Sequence, residues 1–227
     1  MYTNSANLPF RKISAIDFEY CGADGEIPKI VCMVIQDLRT GKVSRYWRND
    51  LCKMKTPPFE TGEDVAIVSY FAPAEVQSMV ALSWTINVSV IDLFAEFRCQ
   101  TNGDPNVGRK SLVSALQFYG LEQFIPEEKD SMRDLILSGG PLSETQRSAI
   151  LDYCQQDVIA LGPLLDAMLR HAPWSELKFN QAILRGRYMK AVGAMQHRGI
   201  PIDLDMFDKL NANWEDIKLN LIENVDA

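Results

Sequence analysis

Through the first third of the chain, apolar residues come in short runs or alternate with polar ones, and from about residue 73 they recur every three or four positions. The runs Ile13 to Phe18, Lys29 to Leu38 and Lys42 to Trp47 predict strands, the last two joined by a hairpin turn at Arg39-Thr40-Gly41. Val65 to Tyr70 predicts a fourth, buried strand. After Pro73 the residues Val76, Met79, Val80 and Ser83 fall at helical spacing, and a short strand over Val88 to Ile91 leads into an apolar helix beginning near Asp92.

The remainder reads as helices separated by chain breakers. Asn102 to Lys110 is a polar loop, Ser111 caps a helix running to Tyr119, and Gly120 ends it. Lys129 to Ser138 predicts another short helix. Beyond Gly139-Gly140-Pro141, Ser143 and Gln146 have capping-box spacing for a long helix through about His171, with the apolar stripe Ile150, Cys154, Val158, Leu161 and Leu165. Ala172-Pro173-Trp174 interrupts it, Glu176 to Arg198 resumes, Gly199 to Asp203 stops and recaps, and one last helix is expected over Leu204 to Glu223.

Strands first and helices after imply an α/β or α+β layer fold with a C-terminal helical extension, divided as 1–175 and 176–227. The 227 residues, 47% apolar and 23% charged, suffice for one core-forming domain and an appendage, or for two small domains. No stretch approaches the ~18 apolar residues of a membrane span and the N-terminus lacks a signal-peptide layout, so no membrane partner and a cytoplasmic location are expected. Five scattered cysteines without a C-x-x-C pair, and only two histidines, suggest neither a disulfide framework nor a zinc or histidine-rich site. A net charge of −7 argues against a broad basic grip on nucleic acid. It leaves open a carboxylate site that meets phosphate through bound cations.

Candidate chemistry begins at Asp17-Phe18-Glu19, where strand alternation puts both carboxylates on one face. Alone this pattern is weak, since Asp24-Gly25-Glu26 repeats it in what reads as a turn. Tyr153 and Asp157, four apart in the long helix, project from one side of it. That spacing recurs at Tyr20 and Asp24 and at Tyr46 and Asp50, outside predicted helices, and the bland reading of Tyr153 is a core-edge aromatic. Trp47, Trp84, Trp174 and Trp214 read as core or junction aromatics.

The joint order of a strand-borne D-x-E, an acidic central segment and a helix-borne Y-x-x-x-D resembles the DEDD exonuclease superfamily, tyrosine subclass. The likeness is to the proofreading domain of family A, phage-type DNA polymerases, in Ile13-Ser14-Ala15-Ile16-Asp17-Phe18-Glu19, in Ile91-Asp92-Leu93-Phe94-Ala95-Glu96-Phe97-Arg98 and in Leu151-Asp152-Tyr153-Cys154-Gln155-Gln156-Asp157-Val158. It covers 13 to about 170, and Tyr188 to Met195 with Arg198 to Asp203 resembles the start of such a polymerase. The palm motifs, including His-Asp-Glu, do not occur within these residues, so polymerisation by that mechanism is not expected of them. The second motif departs from the pattern, because its helix opens with Ala72-Pro73-Ala74-Glu75 where the superfamily carries an Asp.

The resemblance implies a ribonuclease H-like mixed sheet flanked by helices and a 3′→5′ exonuclease using two Mg²⁺ or Mn²⁺ ions. Asp17, Glu19 and Asp157 would hold the first ion, and Asp17 would bridge to the second. Glu75 is the first choice for the fourth carboxylate and Asp92, better read as a helix cap, the second. Glu19 and the Tyr153 hydroxyl would orient the attacking water. The implied substrate is a single-stranded DNA 3′ end, with a polymerase domain or subunit as partner in a bacterial or phage-infected cell. Phe18 and Tyr20 are candidates for holding bases, and Lys110, Lys129, Arg133, Arg185, Arg187 and Lys190 for touching phosphates, each against the plainer reading of sheet packing or surface charge. Two alternatives stand beside this reading: an inactive 3′-end-binding module, and an RNA exonuclease of the ribonuclease D branch.

Overall fold

A computed structural model describes residues 1–22, 26–125 and 129–226; Asp24 and Gly25 of the turn expected at Asp24-Gly25-Glu26, and the side chain of Lys129, fall outside the described residues. Five strands form one mixed sheet: β1 (Lys12–Cys21), β2 (Lys29–Asp37), β3 (Val43–Trp47), β4 (Gly62–Ser69) and β5 (Val88–Asp92). Their order across the sheet is β3-β2-β1-β4-β5. β2 and β3 run antiparallel to their neighbours, whereas β1, β4 and β5 are parallel. The hairpin turn is the expected one: the Asp37 side chain accepts from the Arg39 and Thr40 amides, and Gly41 takes the positive φ of 74° that favours glycine.

The helices are α1 (Arg48–Leu51), α2 (Ala72–Ala81), α3 (Leu93–Gln100), α4 (Leu112–Phe118), α5 (Lys129–Leu137), α6 (Glu144–His171), α7 (Glu176–Arg198), α8 (Leu204–Ala212) and α9 (Trp214–Asp226). The Ser143 capping box forms as its sequence dictates, and the expected α6 stripe from Ile150 to Leu165 is buried. α6 covers one face of the sheet, meeting Ile13 and Ala15. α2 covers the other, where Ile16 and Phe18 point. β1 is thus apolar on both faces until Asp17 and Glu19 turn toward the α6 side.

The chain divides into two compact units, Met1–His197 and Arg198–Ala227. α7, which opens at the expected boundary of 175/176, belongs to the first unit and packs closely within it. A Cβ on Gly186 would run into the Val90 carbonyl, and one on Gly193 would meet the Pro73 oxygen at 2.7 Å. Arg185 also reaches Glu96 with two contacts of 2.6 and 2.7 Å. In the second unit, the single helix expected over Leu204 to Glu223 is two. Asn213 ends α8 by turning its side-chain amide onto the Lys209 carbonyl, and its own carbonyl receives the first bond of α9. Trp84 and Trp174 are core residues as expected, but Trp214 is exposed and takes no part in a core.

Candidate active site

β4 pairs with β1 only as far as Ala15 and Val68, so beyond Ala15 the β4 side of β1 lacks a strand partner. The segment of β1 past that point is the one that carries Asp17 and Glu19. Glu75, in the first turn of α2, reaches across this gap and accepts a hydrogen bond from the Phe18 backbone N–H. On the other side α6 brings Tyr153, Cys154 and Asp157 down onto the strand.

The Cys154 thiol, fully buried, lies 3.4 Å from Asp17 Oδ2 and 3.5 Å from the Asp17 carbonyl oxygen. Donor atoms of Asp17, Glu19 and Cys154 lie within 4.8 Å of one another, a spacing that one cation could span. Burial, the Cys32 thiol and the Asp17 charge push the Cys154 thiol well above its usual range. It acts as a hydrogen-bond donor to Asp17 rather than a thiolate ligand. The Tyr153 hydroxyl is pushed far up by burial and by Asp157, Glu19 and Asp17, so it stays protonated and able to donate. Asp157 is 9% exposed, and one turn along α6 its charge acts on the Tyr153 hydroxyl.

Two further acids are almost completely buried and differ in what surrounds them. Asp92 accepts from the amides of Phe94 and Ala95 with one oxygen, at 2.9 and 3.1 Å, and from Ala72 with the other, at 3.0 Å, with a longer contact to Phe71. It caps α3 and ties it to the entry of α2. Burial raises its carboxyl to about 6, against the pull of those four donors. Glu75 has one oxygen, Oε2, with no hydrogen-bond partner. Burial first, then the charges of Asp17 and Glu19, hold it well above the ordinary carboxylate range.

Together Asp17, Glu19, Glu75, Tyr153 and Asp157 therefore converge at the open end of β1, and Asp92 stands apart as a cap. The carboxylates among them suit a hard divalent cation: Asp17 and Glu19 offer oxygens within 4.8 Å of each other, with the protonated Cys154 thiol beside them, and the buried Glu75, which feels both charges, has an oxygen without a hydrogen-bond partner.

The surrounding residues sort themselves. Phe18 is buried against Trp84, whereas Tyr20 is 36% exposed at the site's rim, where its hydroxyl feels Glu75, Asp17, Glu19 and the cation of Arg133. Lys110 is tied to Thr101 and Val107, Arg185 to Glu96, and Lys190 to the carbonyls of Ile86 and Val88. Sequence reasoning missed Phe71, which enters α2 in the left-handed region at φ 72°, ψ 62°. For a bulky side chain that conformation costs roughly 1–3 kcal/mol, held here by Asp92. No signal in the residue types around it would have revealed this. In the sequence Cys154 is one position of the α6 apolar stripe; its bond to Asp17 depends on a strand 137 residues away.

No protein-family model matches the chain, and no curated protein sequence matches it. Solved structures do. An apo nuclease structure superposes with a TM-score of 0.58 at 17% identity, over 84% of this chain and 86% of its own. Brucella melitensis NrnC bound to pGG gives 0.56 at 15%, over 86% and 89%, and the same protein is known with bound Mg²⁺. Escherichia coli RNase D, an exoribonuclease involved in structured RNA processing, gives 0.52 at 13%, over 95% of this chain and 54% of that one. With its mixed five-stranded sheet, flanking helices and C-terminal helical part, the chain has a ribonuclease H-like nuclease fold.

Proposed function

We propose that this chain is a metal-dependent 3′→5′ exonuclease of the four-carboxylate, tyrosine kind, acting on single-stranded DNA ends as part of, or partner to, a family A polymerase. The observation that carries the reading is Glu75: a buried acid with an unsatisfied oxygen, set against two other carboxylates, is costly unless a cation is meant to sit there. Asp17, Glu19 and Asp157 would hold one divalent ion, with Asp17 shared with a second and Glu75 supporting through an outer-shell contact. Two Mg²⁺ or Mn²⁺ ions held by such a set would supply the activation of water and the neutralisation of phosphate charge that this hydrolysis needs.

The chain's own groups do the positioning. The protonated Tyr153 hydroxyl donates to the attacking water and Glu19 accepts from it, fixing its direction. Cys154 holds the Asp17 carboxylate in its orientation. Tyr20, exposed at the rim, offers a face on which the terminal base stacks.

A second reading has its own support, since NrnC was solved with pGG and RNase D is an exoribonuclease. In it the same site works on short RNA ends. One experiment addresses both: DNA and RNA oligomers of one sequence, labelled at the 5′ end, incubated with Mg²⁺, Mn²⁺ or chelator. The expected result is a metal-dependent ladder shortening from the 3′ end. Asp17→Ala should slow it on the order of 10³-fold or more, as loss of several kcal/mol of charge stabilisation requires. The strand that is shortened names the substrate. Undiminished activity in Asp17→Ala overturns the reading, and binding without products in either metal leaves an inactive end-binding module.

A further inference from the structure

The parallel strands β1, β4 and β5 end at one edge of the sheet, and that edge is where α/β folds place their ligands. β1 brings the acidic site to it. Two strand spacings away, roughly 10 Å, β5 brings Asp92 and the start of α3. Between them lies an aromatic run: Phe71 meets Phe94 edge-on at 5.2 Å, and Tyr70 meets it at 6.0 Å. The Arg98 guanidinium lies over the Phe94 ring at 5.6 Å. The run opens into a cleft of about 390 Å³ between α3 and α7, bordered by Phe94, Arg98, Asn102, Arg185, Tyr188 and Met189.

Burial and charge separate this cleft from an ordinary helix-packing groove. Tyr188 is 68% exposed, Arg98 is exposed, and Phe71 is 38% exposed despite its strained backbone. Arg185 is held rigidly by two contacts to the buried Glu96, which fixes it at the cleft wall. In a chain of net charge −7, the exposed Arg98 guanidinium beside exposed aromatic rings matches the phosphates and base faces of a single strand, while Arg185, paired with Glu96, forms the wall. Backbone strain at Phe71 fits the same use, because it holds that ring one turn ahead of Glu75 and against Phe94 of the cleft.

We infer that the cleft between α3 and α7 binds the nucleotides upstream of the 3′ end of a single-stranded nucleic acid, a base stacking on Tyr188 and the phosphates meeting Arg98. The inference rests on the nuclease reading for the polarity of the strand, and makes strand length the determinant of affinity. A dinucleotide fills the catalytic site alone, and a longer strand also reaches the cleft.

The test is anisotropy titration of the full chain carrying Asp17→Ala, so that strands are not consumed, with labelled two- and ten-nucleotide DNA and RNA. Adding Arg98→Glu and Tyr188→Ala, both at exposed positions, should weaken binding of the ten-nucleotide strand about tenfold and of the dinucleotide less than about twofold. The salt dependence of the longer strand should lose a slope of about one, which Arg98→Lys should retain. Such a loss in the DNA or the RNA arm supports the cleft and identifies its strand. Equal affinities with and without the substitutions, or equal losses at both lengths, overturn it. The nuclease reading fails separately, by absence of a ladder when Asp17 is intact.

Discussion

The openings of α2 and α3 each carry a buried acid, and the two acids have opposite circumstances. Asp92 has four backbone N–H groups around it and is tied into both helices. Glu75 accepts one backbone hydrogen bond, leaves Oε2 without a partner, and faces Asp17 and Glu19. A saturated acid is a fastener; its energy is spent on local geometry. An under-satisfied acid beside like charges weakens the fold, and persists where a cation completes it.

The sharpest way to break that contrast is Glu75→Gln. The amide keeps the shape and removes the charge. Activity is expected to fall about 10- to 100-fold, the scale on which supporting ligands act, while metal-free stability holds or rises. The sign follows from linkage. A carboxyl whose folded-state pKa is raised binds a proton that the unfolded chain has already released, so the parent loses stability as pH rises above the unfolded value of about 4.3. Melting curves between pH 5 and 7 should slope downward for the parent and less steeply for Glu75→Gln, where the slope that Asp92, raised to about 6, contributes remains. A parent curve that is already flat would remove the basis for singling Glu75 out.

Much of this was legible beforehand, and the reason is local. β1 shows its apolar faces and its two acids in a single ten-residue run, and α6 announces itself by the Ser143 capping box and its stripe. Glu75 came from the order of motifs, because the helix it opens begins where a second acid belongs. What stayed hidden depends on distant partners. The close seat of α7 comes from Gly186 and Gly193 lying on Val90 and Pro73, contacts that no window around α7 encodes. The left-handed Phe71 is imposed by Asp92, twenty-one residues on. The split between α8 and α9 turns on one Asn side chain that competes with its helix for a carbonyl.

Metal addition sharpens the comparison next. If the acids converge to hold cations, Mg²⁺ or Mn²⁺ at about 100 times its dissociation constant should stabilise the parent by about 2.7 kcal/mol. For a chain of this size that corresponds to a rise of roughly 5–10 °C in Tm. The rise should shrink in Glu75→Gln and persist in Asp92→Asn, and equal rises in the two variants would erase the distinction between them. Asp92→Asn itself should lower stability by about 1–3 kcal/mol, since with its oxygen kept on the Phe94 and Ala95 amides its NH2 turns a donor toward the Ala72 N–H that Oδ2 accepted from. Its activity loss should be smaller than that of Glu75→Gln.

The smallest effect concerns the residue that joins the two acids. Phe71 sits in the left-handed region, where an L side chain is strained by about 1–2 kcal/mol and glycine is not. Phe71→Ala keeps the Cβ that causes the strain and removes the ring that packs on Phe94. Phe71→Gly removes both. If Asp92 imposes the conformation against the preference of the side chain, Gly should be more stable than Ala by about 1 kcal/mol, or roughly 2–4 °C in Tm. In an Asp92→Asn background the backbone is released and that gap should close. A gap that survives there would mean the entry to α2 is set by the sheet edge itself, and that Asp92 fastens α3 alone.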